Sequence, residues 1–88
     1  MNGDRHVDGN AIGGMLMELF GREMTDARSS CAACGAIHSI GALLVYDQAP
    51  GDVVRCPSCG AVMLVAIARP AGLRFSFAGV RWVESVPR

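Results

Sequence analysis

Two short cysteine motifs constrain the fold of this chain more than any other feature. CAACG begins at residue 31 and CPSCG begins at residue 56, and each places two thiols three positions apart with a glycine directly after them. One such pair also occurs in redox enzymes, but two pairs separated by about 20 residues have the spacing of a single four-cysteine metal site. The spacing therefore predicts one metal ion held by four ligands, Cys31, Cys34, Cys56 and Cys59.

The local physics of the motif supports this interpretation. A C-x-x-C turn directs both sulfurs at one point, and the backbone N–H groups inside the turn can donate to the thiolates. Gly35 and Gly60 can adopt a positive φ without the penalty of a Cβ atom, so the chain can turn away from the metal and begin a strand. Pro57 fixes one φ in the second turn and removes a donor that would otherwise need a partner. Four sulfurs leave no open coordination position, which is typical of a structural site.

Disulfides and redox chemistry are the other uses of such cysteines. The first ten residues, MNGDRHVDGN, are polar and lack the apolar stretch of a secretory signal, so we expect a cytoplasmic protein whose thiols stay reduced. Neither pair opens an apolar helix after a strand, as the redox motif of thioredoxin-like enzymes does. The most apolar run, residues 61–68, is far shorter than the roughly 20 residues of a membrane helix, so we expect no membrane partner.

Size and composition make a stabilising metal plausible on physical grounds. At 88 residues the chain is near the lower limit for a domain that folds on its hydrophobic core alone. An apolar fraction of 51% with 18% charged residues argues against disorder and indicates that apolar surface remains after the monomer folds. The net charge is zero, with no lysine, so no basic block signals a general affinity for nucleic acid.

An amphipathic helix is predicted over residues 10–20, because its apolar residues recur with helical spacing. Asp8 or Asn10 can serve as the N-cap, and Gly21 stands where a left-handed C′ glycine is expected. Two consecutive glycines weaken this helix by up to about 1 kcal/mol each. We therefore expect it to be stable only when docked, either on the core of its own domain or on a partner. The apolar stripe comprises Ile12, Met15, Leu16, Leu19 and Phe20.

Antiparallel strands are predicted after the first cysteine pair. GALLVYD and VVRC favour strands joined by the turn QAPGD, and AVMLVAIAR (residues 61–69) is apolar on both alternating faces, which requires cover on both sides. LRFSFA (residues 73–78) alternates as a half-buried strand does, and VRWVES predicts a shorter strand after a break at Gly79. The polar stretch REMTDARSS (residues 22–30) is expected to be a linker or a short turn.

These elements predict a small α+β metal-stabilised domain with an N-terminal amphipathic helix and an antiparallel sheet. From Cys31 to Ile67, the CAACG and CPSCG motifs resemble those of the zinc-ribbon and rubredoxin-like folds. The helix start DGNA, the segment MT-x-AR and the turn AGV also look like those of a family of small uncharacterised actinobacterial zinc-ribbon proteins. The resemblance implies a fold and no activity. We expect a flexible lead-in at 1–8, a helix and linker at 9–30 and a zinc-ribbon β domain at 31–86.

Zinc and iron both suit a tetrahedral site of four sulfurs. Rubredoxins hold iron with the same motifs, but they are strongly acidic and carry an aromatic core. This chain is neutral with only three Phe, one Trp and one Tyr, so we expect one structural zinc ion, with iron as the alternative. His38 follows Cys34 by four positions and is expected to be exposed or to support the ligands, and His6 is expected to be a bystander.

The remaining residues form no recognisable catalytic set, and the glycines of DGNAIGG lack the spacing of a phosphate-binding loop, so we expect no enzyme activity. A protein-binding or self-associating module is the first function class, and a homodimer is the simplest cover for a second apolar face. A nucleic-acid-binding ribbon is the alternative, and electron transfer follows only if iron is bound. The nucleic-acid alternative would use a basic and aromatic sheet face formed by Arg55, Arg69, Arg74, Arg81, Phe75 and Trp82.

Overall fold

Antiparallel strands make up most of the structure, a computed structural model that describes residues 6–48 and 51–85. Eight strands are found in these residues, and they form one five-stranded and one three-stranded sheet. Every pairing is antiparallel, as the sequence alternation predicts. The strands are β1 (Val7–Asp8), β2 (Arg28–Cys31), β3 (Ile37–Ser39), β4 (Leu44–Gln48), β5 (Gly51–Arg55), β6 (Val62–Arg69), β7 (Gly72–Ser76) and β8 (Val80–Glu84).

The order of the strands places each cysteine motif at the tip of a hairpin. The five-stranded sheet has the order β1-β4-β5-β6-β7, and the three-stranded sheet has the order β3-β2-β8. CAACG connects β2 to β3, whereas CPSCG connects β5 to β6. The two motifs therefore belong to different sheets, and only the packing of the sheets can bring them together.

The predicted C-terminal end of the helix is confirmed, but the α-helix begins at Gly13 and not at residue 10. A 3-10 turn over Gly9–Ile12 leads into α1 (Gly13–Phe20), so the α-helix itself has only eight residues. The side chain of Asp8 accepts a hydrogen bond from the N–H of Asn10, which makes Asp8 the cap of the 3-10 turn. Gly21 has a φ of +73° and donates its N–H to the carbonyl of Met17, as a left-handed C-terminal glycine does.

The apolar stripe of α1 is only partly covered. Ile12 and Leu16 are completely buried in the core of the domain, so the helix does dock on its own chain. Leu19 and Phe20 belong to the same predicted stripe but remain 48% and 43% exposed. The C-terminal half of the helix thus extends past the edge of the core.

The expected linker at residues 22–30 is wrong in its last part, because Arg28–Cys31 form strand β2, the central strand of the smaller sheet. Met24 and Ala27 are also buried. The sequence did not indicate this strand, because Ser29 and Ser30 are polar. Both are nevertheless buried, and their hydroxyls donate to backbone carbonyls.

Two further predictions fall partly on residues that the structure does not describe. Residues 1–5 of the expected lead-in lie outside them, while Val7–Asp8 pair with β4 as a short strand. Of the expected turn QAPGD, residues 49–50 lie outside them, and Gly51 already belongs to β5.

One hydrophobic core joins the helix, both sheets and the cysteine motifs. Strand β6 is central to it, because Met63 and Leu64 are both buried although they are neighbours. A β-bulge explains this, since Arg55 pairs with Val62 while Val54 pairs with Leu64, leaving Met63 as the extra residue. In the described part of the chain, no helix has the length and apolar character needed to cross a membrane. The core comprises Ile12, Leu16, Met24, Ala27, Cys31, Ile40, Leu43, Val45, Val54, Cys56, Met63 and Leu64.

Candidate metal centre

The two cysteine motifs adopt the same backbone conformation, and we call them the first knuckle (residues 31–35) and the second knuckle (residues 56–60). In each, the glycine N–H donates to the carbonyl of the first cysteine at 2.8 Å. Gly35 and Gly60 have φ values of +80° and +79°, as predicted from their position after the second cysteine. A Cβ atom on Gly60 would meet no atom within 4 Å, so the constraint on this glycine is its backbone conformation and not a lack of space.

The structure brings all four predicted ligands into one cluster. Their Sγ atoms all lie within 4.8 Å of one another. Two of the distances join the two hairpins, with Cys31 Sγ 3.7 Å from Cys59 Sγ and Cys34 Sγ 3.8 Å from Cys56 Sγ. A tetrahedron with metal–sulfur bonds of about 2.3 Å has sulfur–sulfur edges of about 3.8 Å, whereas a disulfide bond is about 2.05 Å long. The cluster therefore has the size of a tetrahedral metal site.

Backbone N–H groups point at the sulfurs, as the turn geometry predicts. The N–H of Ser58 lies 3.3 Å from Cys56 Sγ, and the N–H of Ala61 lies 3.4 Å from Cys59 Sγ. Such bonds stabilise a thiolate more than a thiol, because the donor dipole opposes the negative charge. The second knuckle is thus prepared to hold sulfur in its anionic, metal-binding form.

The pKa values of two thiols differ in direction, because each thiol has different neighbours in the cluster. Hydrogen bonding from the backbone of Cys34 is the main cause that lowers the pKa of Cys31 to about 7, against the opposing effect of burial. The N–H of Ala61 lowers the pKa of Cys59, but burial and the side chains of the other three cysteines raise it to about 11 overall. A first thiolate forms readily, and further negative charge in the same cluster is resisted. A positive ion among the sulfurs would remove this resistance, because it would stabilise every thiolate of the cluster.

Each knuckle contributes one buried and one exposed cysteine. Cys31 and Cys56 are completely buried and belong to the hydrophobic core, whereas Cys34 and Cys59 are exposed. The cluster is therefore anchored on its inner side by core packing and reaches solvent on its outer side. Loss of the inner cysteines would disturb both the ligand set and the core.

Side chains around the knuckles connect the two hairpins. His38 Nε2 lies 2.9 Å from Ser58 Oγ, so a residue of β3 bonds to the second knuckle. This contact agrees with the predicted supporting role of His38. The other histidine, His6, precedes the first knuckle by 25 residues in the sequence, and the centre of its ring lies 5.4 Å from that of Tyr46. The guanidinium of Arg55 donates to the carbonyl of Gly60 at 2.8 Å and lies 5.8 Å from the centre of the Tyr46 ring.

Gly79 makes a second connection that the sequence did not reveal. Its N–H donates to the carbonyl of Met63, and its own carbonyl accepts the N–H of Ala32 in the first knuckle, both at 2.9 Å. An added Cβ would lie 2.0 Å from the carbonyl oxygen of Val62. From the sequence, Gly79 predicts only a break between strands. Its close approach to the backbone of another strand leaves no local signal beyond the glycine itself. The contacts of Ser58 with His38 and of Arg55 with Gly60 were also missed, because the partner that a polar side chain reaches depends on the tertiary structure.

The fold and the site define a class: a small α+β protein with antiparallel sheets and four clustered cysteines that could hold one metal ion. Residues 3–87 match the model of DUF6510, a family of unknown function, and the chain belongs to that family. Neither the curated proteins nor the solved structures gave a match. The family's description names neither a zinc ribbon nor an actinobacterial lineage, so both features of the sequence resemblance stay predictions.

Proposed function

We propose that this chain is a non-enzymatic zinc-binding module with a zinc-ribbon fold. One observation carries the proposal: four sulfurs from two separate hairpin tips lie at the spacing of a tetrahedral site. A zinc ion bound there would neutralise the thiolates and supply about 10–16 kcal/mol of apparent binding free energy, which is also folding free energy. The ligands would be Cys31, Cys34, Cys56 and Cys59.

Zinc is preferred over iron on composition, since sulfur geometry suits both metals. The neutral charge and the five aromatic residues, three Phe, one Trp and one Tyr, support zinc over a rubredoxin-like iron centre. Iron would instead give the protein an electron-transfer role, and the exposure of Cys34 and Cys59 would place that iron close to solvent.

The proposed role of the module is to bind another protein or a second copy of itself. Large apolar side chains that the monomer leaves exposed support this role, and Leu19, Phe20 and Trp82 gather on one side of the molecule. A nucleic-acid-binding ribbon receives less support, because Arg55 is engaged with Gly60 and Tyr46 within the chain. We further propose a cytoplasmic location, where the thiols stay reduced.

Elemental analysis of the purified protein, together with a matched pair of variants, tests the proposal. We expect one zinc per chain and a colourless sample, whereas a red sample would indicate ferric iron. Cys56→Ser should lose the metal and the cooperative thermal transition together, because Cys56 is both a proposed ligand and a core residue. Ser58→Ala lies in the same knuckle and should keep the metal. A cooperative melt of Cys56→Ser at the wild-type temperature would refute a structural role for the site.

A further inference from the structure

A groove with two parts lies between α1 and the segment that contains β7 and β8, and its lining is mainly apolar. Its larger part has a volume of about 490 Å³. A smaller part of about 190 Å³ shares Leu19 with it and is also lined by Glu18 of α1 and by Leu73 and Phe75 of β7. We call the two parts together the edge groove. The larger part is lined by Leu19, Phe20, Phe77, Val80, Trp82 and Val83.

Strand β7 lines the smaller part of this groove with Leu73 and Phe75, and it is the last strand of its sheet. It pairs with β6 on one side, and among the described residues no strand pairs with its other side. Natural edge strands are often protected by short length, charged side chains, proline, a bulge or an inward charge. Strand β7 carries one charge, Arg74, which is exposed on its outward face. It contains no proline or lysine, its register with β6 is regular, and its inward residues Leu73 and Phe75 are apolar. Its free edge is therefore open to another strand.

We infer that this edge binds a second copy of this chain, with the two β7 strands pairing antiparallel about a two-fold axis. The inference rests on the proposed function and names the partner of the module. A two-fold axis perpendicular to the sheet sets a residue opposite its own copy. Centring the pair on Phe75 sets Leu73 opposite Phe77 of the second copy, so the apolar side chains share one face. The same register sets Arg74 opposite Ser76 of the second copy.

Charge favours a second copy as the occupant. The chain has a net charge of zero, so two copies do not repel each other at long range. The register centred on Phe75 sets no like charges directly opposite each other, and the two Arg74 side chains are diagonal neighbours. A register centred on Arg74 would set the two guanidinium groups directly opposite each other. Leu19 and Phe20 lie on the same side of the sheet as the apolar face of β7, so the helices of both copies would close over the joined strands.

The available area indicates a weak dimer. A strand of five residues spans about 17 Å, and the thinnest dimension of the molecule is 20 Å. The flat contact strip is then about 340 Å² per copy before the helix side chains add to it, against about 800 Å² in a standard interface. We therefore expect dissociation in the micromolar range.

Sedimentation velocity of the zinc-loaded full chain, from about 1 μM to about 500 μM, tests the inference. The wild type should change from monomer to dimer within this range. Ser76→Glu should tighten the dimer about 2-fold to 30-fold, because it creates two carboxylate–Arg74 pairs across the axis. Ser76→Arg should weaken it by a similar factor. Ser76 is exposed, so neither change should alter the monomer fold.

A second matched pair tests the apolar face. Leu73→Lys adds an inward charge at the edge and should keep the chain monomeric. Ile37→Lys removes a more exposed apolar residue from the other sheet and should leave the dimer unchanged. A monomer at every concentration, or a dimer that ignores the Ser76 and Leu73 variants, would overturn the inference. Zinc content and thermal melts of the same samples separate that result from failure of the proposed function, which would show as absence of metal.

Discussion

Replacement of Gly79 by alanine tests how the two halves of the metal centre are joined. The added Cβ would lie 2.0 Å from the carbonyl oxygen of Val62 and 2.8 Å from the Cα of Met63, so the backbone must move by about 1 Å to reach ordinary van der Waals contact. That movement disturbs the hydrogen bonds that connect Gly79 to Met63 and to Ala32. At about 0.5–1.5 kcal/mol for each bond, the expected loss is about 2 kcal/mol. A domain of this size should then melt about 8–16 °C lower.

Thermal unfolding of the zinc-loaded protein measures this loss, and competition with a chelator measures zinc retention. Both should fall in Gly79→Ala, because Ala32 lies inside the first knuckle. Gly14→Ala is the matched control, since its Cβ meets no atom within 4 Å and the residue lies in α1. This control should stabilise the protein by up to about 1 kcal/mol. If Gly79→Ala melts at the wild-type temperature, the close approach of the chain to β6 is not a real constraint.

Three further changes probe the knuckles, the partly buried acid Asp52 and the helix. Gly35→Val and Gly60→Val should each weaken zinc retention through strain at positive φ. Gly21→Val carries the same strain at the end of α1 and should lower the melting temperature only; equal retention in all three variants would contradict this. The pKa of Asp52 is raised above its usual value of 3.8, mainly by burial and then by the charge and hydrogen bonding of Asp47. The folded state therefore favours the protonated carboxyl, and the free energy of unfolding falls as the pH rises through the folded-state pKa. Asp52→Asn should thus be the more stable protein at neutral pH, with a difference that shrinks toward pH 3.8 in urea unfolding. Removing residues 1–21 should cause aggregation in light scattering, because it uncovers the core that buries Ile12 and Leu16; a soluble, folded remainder would show that the helix is dispensable.

Features with a local cause were predictable from the sequence. Capping of the 3-10 turn by Asp8 and termination of α1 at Gly21 depend on a few neighbouring residues, and so does the positive φ of the knuckle glycines. Period-two alternation likewise predicted β7, whose burial alternates as its sequence does. Strand β2 was not predicted, because its polar residues Ser29 and Ser30 do not look like core residues. They are buried because their hydroxyls donate to the carbonyls of His38 and Gly35.

By itself, the sequence determined which four side chains could meet, since C-x-x-C spacing constrains each pair within one short turn. Only the tertiary structure decided that the two turns come from different sheets and that Gly79 and His38 connect them. It also decided that half of the helix stripe stays uncovered beside the free edge of β7. The reason is that turn conformations depend on adjacent residues, whereas sheet order and exposure depend on contacts between segments far apart in the chain.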